Sequence, residues 1–142
     1  INSIMRIGAK GNCIDNAHGG GMFVGVDMNG KIGKYACNWL GETKKIFNDI
    51  DFENNEYIIP NFDNICKFAV NVSDKIIYHN LVALDIALNE NCEPVLIESN
   101  IGGFSAWLFQ FTNGSAFGDF TDEIMDYCIK NYHSLKPVTI IK

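Results

Sequence analysis

Apolar and polar residues alternate over several short stretches of this 142-residue chain, and this alternation predicts β-strands. Asn29-Gly30 separates two of these stretches, and an Asn-Gly pair between two strand patterns is a strong hairpin signal. Short strands and turns are predicted between residues 40 and 60. The longer predicted strands are, in chain order, 3–9, 23–28, 31–39, 81–88 and 95–100.

Three other stretches carry apolar residues at helical spacing. The pattern predicts helices over 61–73, 104–111 and 121–132, with Thr121 as the N-cap of the last one. Hairpin strands with helices set apart from them indicate an α+β fold, in which an antiparallel sheet has flanking helices.

Composition indicates one folded domain, because 47% of the residues are hydrophobic and 20% are charged. The net charge of −6 argues against a nucleic acid or an anionic membrane surface as a partner. The five scattered cysteines include no C-x-x-C pair, which indicates reduced thiols and a cytoplasmic protein. Because the sequence begins with Ile1 rather than Met, we expect it to be part of a longer chain.

Polar residues interrupt the second predicted hairpin, with Asp85 in its first strand and Glu98 and Asn100 in its second. Side chains alternate between the two faces of a strand. A register that pairs Leu88 with Val95 places Asp85 directly opposite Glu98, with Asn100 on the same face. The aliphatic residues of the hairpin then lie on the other face.

Two carboxylates directly opposite each other repel, which is unfavourable in a bare sheet. A divalent cation between the two carboxylates replaces their repulsion with attraction to the metal, and Mg²⁺ prefers hard oxygen ligands of this kind. In the same register Ala83 lies opposite Asn100, and the small side chains of Ala83 and Ala87 leave space above the acids. The alternative is the solvated face of an ordinary two-sided hairpin.

The hairpin sequence L-D-I-A-L-N-E-N-C-E-P-V-L-I-E-S-N resembles the metal-binding hairpin of the ATP-grasp superfamily, in which an acid on one strand and E-x-N on the next hold magnesium. The most similar branch is the sugar-transfer-associated ATP-grasp domain, often encoded beside polysaccharide genes. Its ordered motifs are N-S-x-x-R-I, a glycine loop with V-D-x-x-G, and D-I-A…E-x-N. They correspond here to residues 2–7, 19–21, 26–30 and 85–100, within a resemblance that runs from 1 to roughly 110.

The resemblance implies that Asp85, Glu98 and Asn100 are magnesium ligands, with Glu98 bridging two ions. It also implies a catalytic role for Arg6 at the triphosphate or at an acyl-phosphate, where a planar and permanently charged guanidinium suits phosphoryl oxygens. The alternative for Arg6 is a strand arginine in a surface ion pair.

A loop rich in turn-forming residues lies between the first two predicted strands. The resemblance implies that Asn16, Gly19, Gly20 and Gly21 line the nucleotide or acceptor side, where backbone N–H groups can approach phosphate oxygens. A flexible glycine turn is an almost equally good interpretation, because a glycine cluster alone carries little information.

The implied activity is that of an ATP- and Mg²⁺-dependent carboxylate ligase, in which an amine or another nucleophile attacks an acyl-phosphate. Its partners would be a small-molecule carboxylate and an acceptor. We expect residues 1–142 to be the C-terminal portion of an ATP-grasp domain, to pack against a missing N-terminal nucleotide-binding half and to be largely inactive alone. The alternatives are an inactive binding or scaffold domain and an unrelated magnesium enzyme such as a phosphatase.

Overall fold

The computed structural model describes residues 2–12, 17–102 and 105–132. Over these residues the chain combines antiparallel sheets with three α-helices, so the predicted α+β fold is confirmed. The strands are β1 (Ser3–Ile7), β2 (Met22–Val26), β3 (Ile32–Cys37), β4 (Thr43–Lys44), β5 (Ile46–Phe47), β6 (Ile50–Asp51), β7 (Ala83–Leu88) and β8 (Pro94–Asn100). The helices are α1 (Phe62–Ser73), α2 (Ala106–Asn113) and α3 (Thr121–Asn131).

Strands β1 to β4 form one antiparallel sheet in sequence order, and all five residues of β2 are buried. The predicted β2–β3 hairpin is confirmed. In its turn the Asp27 carboxylate accepts the backbone N–H groups of Asn29 (2.8 Å) and Lys31 (2.9 Å). Gly30 has a φ of +80°, and a Cβ there would lie 2.6 Å from the Cβ of Phe62, so glycine is required for both conformation and space.

The main core lies on one face of this sheet. It is built from Met22, Val24, Ala36 and Phe52, all nearly inaccessible to solvent. The short strands predicted between 40 and 60 are present. Phe52 directly follows the strand pair β5–β6, which brings its side chain into the core. Burial of a large apolar side chain contributes about 1.5–3 kcal/mol, so this cluster stabilises the sheet substantially.

Helix α2 covers the other face. The buried ring of Phe23 meets Trp107 of α2 edge to face, with ring centroids 6.4 Å apart. A Cβ at Gly25 would collide with the side chain of Asn113, so this glycine lets the end of α2 cross β2 closely. The Asn113 amide in turn donates to the carbonyl oxygen of Ser3 at 2.8 Å. Side-chain packing and the hydrogen bond from Asn113 therefore hold α2 against β1 and β2.

The helix starts differ in how they are fixed. Asn61, just before α1, has a φ of +55° and donates its side-chain amide to the Cys92 carbonyl oxygen in the β7–β8 turn (3.4 Å). The prediction that Thr121 caps α3 is wrong, because Thr121 already has helical dihedrals. The 3₁₀ turn Gly118–Phe120 runs directly into α3 and takes the place of a cap.

Strands β7 and β8 form a separate two-stranded sheet, which confirms the second predicted hairpin. Helix α1 lies beside β8, so the hairpin rests against α1 and, through Asn61, is attached to its first turn. None of the helices in the described ranges combines the length and apolar character that crossing a bilayer requires.

Candidate metal centre

The register of the β7–β8 hairpin brings the predicted metal ligands together. Asp85 pairs directly with Glu98, and Ala83 pairs with Asn100, as predicted. Cross-strand partners and alternate residues share a face, so Asp85, Glu98 and Asn100 present their side chains on the same side of the hairpin.

The register at the turn end differs from the prediction. Leu88 pairs with Pro94 rather than with Val95. The reason lies in the turn, where the Asn89 side-chain oxygen accepts the backbone N–H of Glu93 at 2.9 Å and the Asn89 N–H donates to the Glu93 carbonyl at 3.0 Å. Asn89 and Glu93 therefore close the turn as a pair, which fixes the next pair as Leu88 and Pro94.

A β-bulge reconciles the two ends of the hairpin. Ile86 pairs with Leu96 while Asp85 pairs with Glu98, so Ile97 is an extra residue in β8 and is 67% exposed. Strict alternation along β8 would place Leu96 on the face of Glu98, but the bulge leaves Leu96 with its partner Ile86 on the other face. A bulge re-aims the side chains beside it, and here it sets Glu98 opposite Asp85.

Arg6 reaches this centre from the main sheet. Its Nη1 atom lies 3.1 Å from Oδ2 of Asp85, and each side chain is 36% exposed. Arg6 pairs with Phe23 in the β1–β2 ladder, so it lies on the sheet face that α2 covers. The surface ion pair considered as an alternative for Arg6 is present, and its partner is a predicted metal ligand.

The other two ligand candidates remain available. Within the described ranges, the Glu98 and Asn100 side chains make no hydrogen bond or ion pair. Carboxylates elsewhere have structural partners: Lys31 lowers the pKa of Glu56, and hydrogen bonds from Asn54 lower the pKa of Asp51. Glu56 and Asp51 thus have structural partners, whereas the Glu98 carboxylate keeps its oxygens available to a ligand.

The glycine loop leads directly into β2. Gly19 ends a 3₁₀ turn, and its carbonyl oxygen accepts the Asn12 side-chain amide at 3.0 Å. Gly20 has a φ of +86°, which favours glycine, and both Gly19 and Gly20 are exposed. Gly21 is buried, so its backbone is less accessible to a ligand than those of its neighbours.

The strand register gives this loop a position relative to Arg6. Because Arg6 pairs with Phe23, Gly21 lies two residues, or about 7 Å along the strand, from the partner of Arg6. The loop and Arg6 therefore share one end of the sheet. Asn16, the fourth predicted residue of this loop, lies outside the described residues.

The donor set fits magnesium better than zinc. No group of three or more His, Cys, Asp or Glu side chains able to hold a metal exists in the part of the chain that the structure describes. Two carboxylates and one amide supply only oxygen, and Mg²⁺ is typically held by one or two carboxylates together with phosphate oxygens and water. Such a site is completed by a phosphate ligand.

Sequence reasoning placed Arg6 and Asp85 in one site but missed their direct contact. No local pattern links residues 79 positions apart, and only the docking of β7 near β1 creates the ion pair. The motif residue Asp27 has a structural function, since its carboxylate is used by its own turn.

An α+β module with paired acids on a hairpin, an arginine in contact with one of them and a glycine loop at the arginine's end of the sheet has the features of an ATP-grasp domain. The model of the family described as sugar-transfer associated ATP-grasp matches residues 1–125, and the chain belongs to this family. The match extends past α2 into α3, further than the motifs alone indicated. Comparisons with curated proteins and with solved structures give no significant match.

Proposed function

We propose that this protein is part of an ATP- and Mg²⁺-dependent ligase that activates a carboxylate as an acyl-phosphate for attack by an amine or another nucleophile. Its family suggests a link to cell-surface polysaccharide biosynthesis. The observation that carries the proposal is the pairing of Asp85 with Glu98, with Asn100 two pairs away on the same face.

In this proposal Asp85, Glu98 and Asn100 would hold magnesium, with Glu98 as the ligand shared by two ions. Bound magnesium supplies charge neutralisation for phosphoryl transfer. Arg6 binds phosphoryl oxygens and keeps the transferring group aligned with the carboxylate that attacks it. The exposed backbone of Gly19 and Gly20 borders the nucleotide or acceptor. No side-chain nucleophile is required, because the attacking oxygen belongs to the substrate.

Magnesium-dependent nucleotide binding tests the metal ligands. Isothermal titration with ATP and Mg²⁺ is expected to show at least about a tenfold loss of affinity for Asp85→Ala and for Glu98→Ala, because each removes one oxygen donor and one negative charge. Glu90→Ala is the matched control, since Glu90 is an exposed acid in the turn of the same hairpin. If both site variants bind nucleotide like the parent, the metal assignment is wrong.

Turnover separates a ligase from the alternative, a binding or scaffold domain that keeps the hairpin without catalysis. ADP release that depends on an added carboxylate is the signature of the ligase. We expect it from the full-length protein and expect little from this chain. Nucleotide binding by the full-length protein without ADP release, across a panel of carboxylates, would favour the scaffold.

A further inference from the structure

The ion pair between Arg6 and Asp85 joins two elements that share no backbone hydrogen bonds, β1 and the β7–β8 hairpin. It also places a positive charge on one of the two carboxylates that face each other. Arg6, Asp85 and Glu98 together carry a formal charge of about −1, compared with −2 for the two acids alone. The centre is therefore half-neutralised before any ligand arrives.

We propose that Arg6 is a resident cation that holds Asp85 in the absence of ligands and competes with a divalent ion for it. The inference rests on the proposed function, because the competing ion is the one assigned there to Asp85. A divalent ion arriving at Asp85 meets the guanidinium at short range, and the two cations repel. Nucleotide phosphates relieve this repulsion, because they attract both the metal and Arg6.

The exposure of the pair favours an exchange over a fixed structural link. Each side chain is 36% exposed, and half-exposed ion pairs contribute little to stability because water screens them. Breaking the ion pair between Arg6 and Asp85 therefore costs little free energy. The hairpin also keeps its second attachment, from Asn61 to the Cys92 carbonyl, when the ion pair opens.

The competition predicts that metal and nucleotide bind cooperatively. Metal alone must displace Arg6 from Asp85 before it can bind, so it binds weakly. With nucleotide present, Arg6 has another anionic partner and Asp85 becomes available. By linkage, each ligand then raises the affinity of the protein for the other by the same factor.

Titration with Mn²⁺, followed by the electron paramagnetic resonance signal of the free ion, tests this inference. Without nucleotide, Arg6→Gln is expected to bind Mn²⁺ about tenfold more tightly than the parent, because a nearby positive charge is gone. Arg6→Lys keeps the charge and should stay close to the parent. The increase in Mn²⁺ affinity on adding a non-hydrolysable ATP analogue should be smaller in Arg6→Gln than in the parent.

A folded Arg6→Gln variant, verified by circular dichroism, that binds Mn²⁺ no more tightly than the parent would overturn the competition. Should the variant fail to fold, the parent provides the test. The NMR signal of the Arg6 side-chain Nε–H should shift when Mg²⁺ and the analogue are added together, and an unchanged signal at saturation contradicts the inference. If the full-length protein binds no Mn²⁺ even with the analogue, the proposed function fails as well.

Discussion

The β1–β4 sheet and the β7–β8 hairpin are both antiparallel but are stabilised in different ways. Every residue of β2 is buried, whereas in β8 only the two end residues, Pro94 and Asn100, are partly buried. The sheet is fixed by packing on both faces. The hairpin is positioned by α1, by Asn61 and by the Arg6–Asp85 pair. The predicted metal ligands thus lie on an element whose position depends on polar contacts.

The two regions nevertheless share one design of turn. In each of three turns, the side-chain oxygen of the first residue accepts the N–H groups of the third and fifth residues. The fourth residue has a positive φ in every case. It is glycine in the sheet and Cys92 in the hairpin. The turns are Asp27–Lys31, Asn38–Glu42 and Asn89–Glu93.

The largest contrast is expected in stability. Phe23→Ala should lower the free energy of unfolding by about 3–5 kcal/mol, because it leaves a cavity between β2 and Trp107. Ile97→Ala should change it by less than about 0.5 kcal/mol, since Ile97 is a bulged residue that is 67% exposed. Urea unfolding measures both values. Equal losses would mean that the hairpin is packed as tightly as the sheet.

Thiol reactivity should separate the same regions. Burial raises the pKa of the Cys37 thiol above its ordinary value of 9.0 and hides it from reagents, whereas Cys128 is exposed. At pH 8, Cys128 should be alkylated on the order of a hundredfold faster than Cys37, because Cys37 reacts only after the protein has unfolded around it. Mass spectrometry of the labelled peptides measures the ratio, and labelling in urea is the control. Comparable rates in the folded protein would contradict the burial of Cys37.

The pH dependence has a definite sign. Above pH 9, Cys37 loses its proton in the unfolded chain but keeps it in the folded one, so the unfolded state binds fewer protons and stability falls as pH rises. Cys37→Ala should show a weaker decline between pH 9 and 10 than the parent does.

A modest change in stability is also expected from one residue of the hairpin turn. Cys92 has a φ of +57°, where a side chain is strained, while Gly41 occupies the equivalent position with a φ of +85°. Cys92→Gly should therefore raise the free energy of unfolding by about 0.5–1 kcal/mol. Gly41→Ala should lower it by about 1 kcal/mol or more, because it adds strain and approaches Phe111. A destabilised Cys92→Gly variant would show that the thiol side chain contributes packing that outweighs the strain.

Sequence alone predicted the hairpin from its strand patterns, but it obtained the pairing of Asp85 with Glu98 from a register that is wrong at the turn. The predicted Leu88–Val95 pair is one residue out of register, and the bulge at Ile97, which was not predicted, shifts the pairing by one residue. The two errors therefore cancel at Asp85. The closing pair Asn89–Glu93 was readable in principle, since Asn38–Glu42 has the same spacing of asparagine and glutamate. The bulge at Ile97 was not, because it depends on how both ends of the hairpin are anchored.

The ion pair between Arg6 and Asp85 lay beyond sequence reasoning for another reason. Strand pattern predicts pairing within a hairpin, but the docking of one hairpin on a separate sheet depends on tertiary packing. Even the side of the hairpin that would meet Arg6 could not be read from local residues. This contact is also the feature that makes the site more than a set of oxygen donors.

The central claim is that the paired hairpin acids bind a divalent cation. NMR of the isotopically labelled chain, titrated with substoichiometric Mn²⁺ in the presence of an ATP analogue, tests it directly, because signals nearest the ion broaden first. The amide signals of Asp85 and Glu98 should broaden before those of the turn acids Glu90 and Glu93. Broadening centred on the turn, or spread evenly over the acidic surface, would contradict the claim.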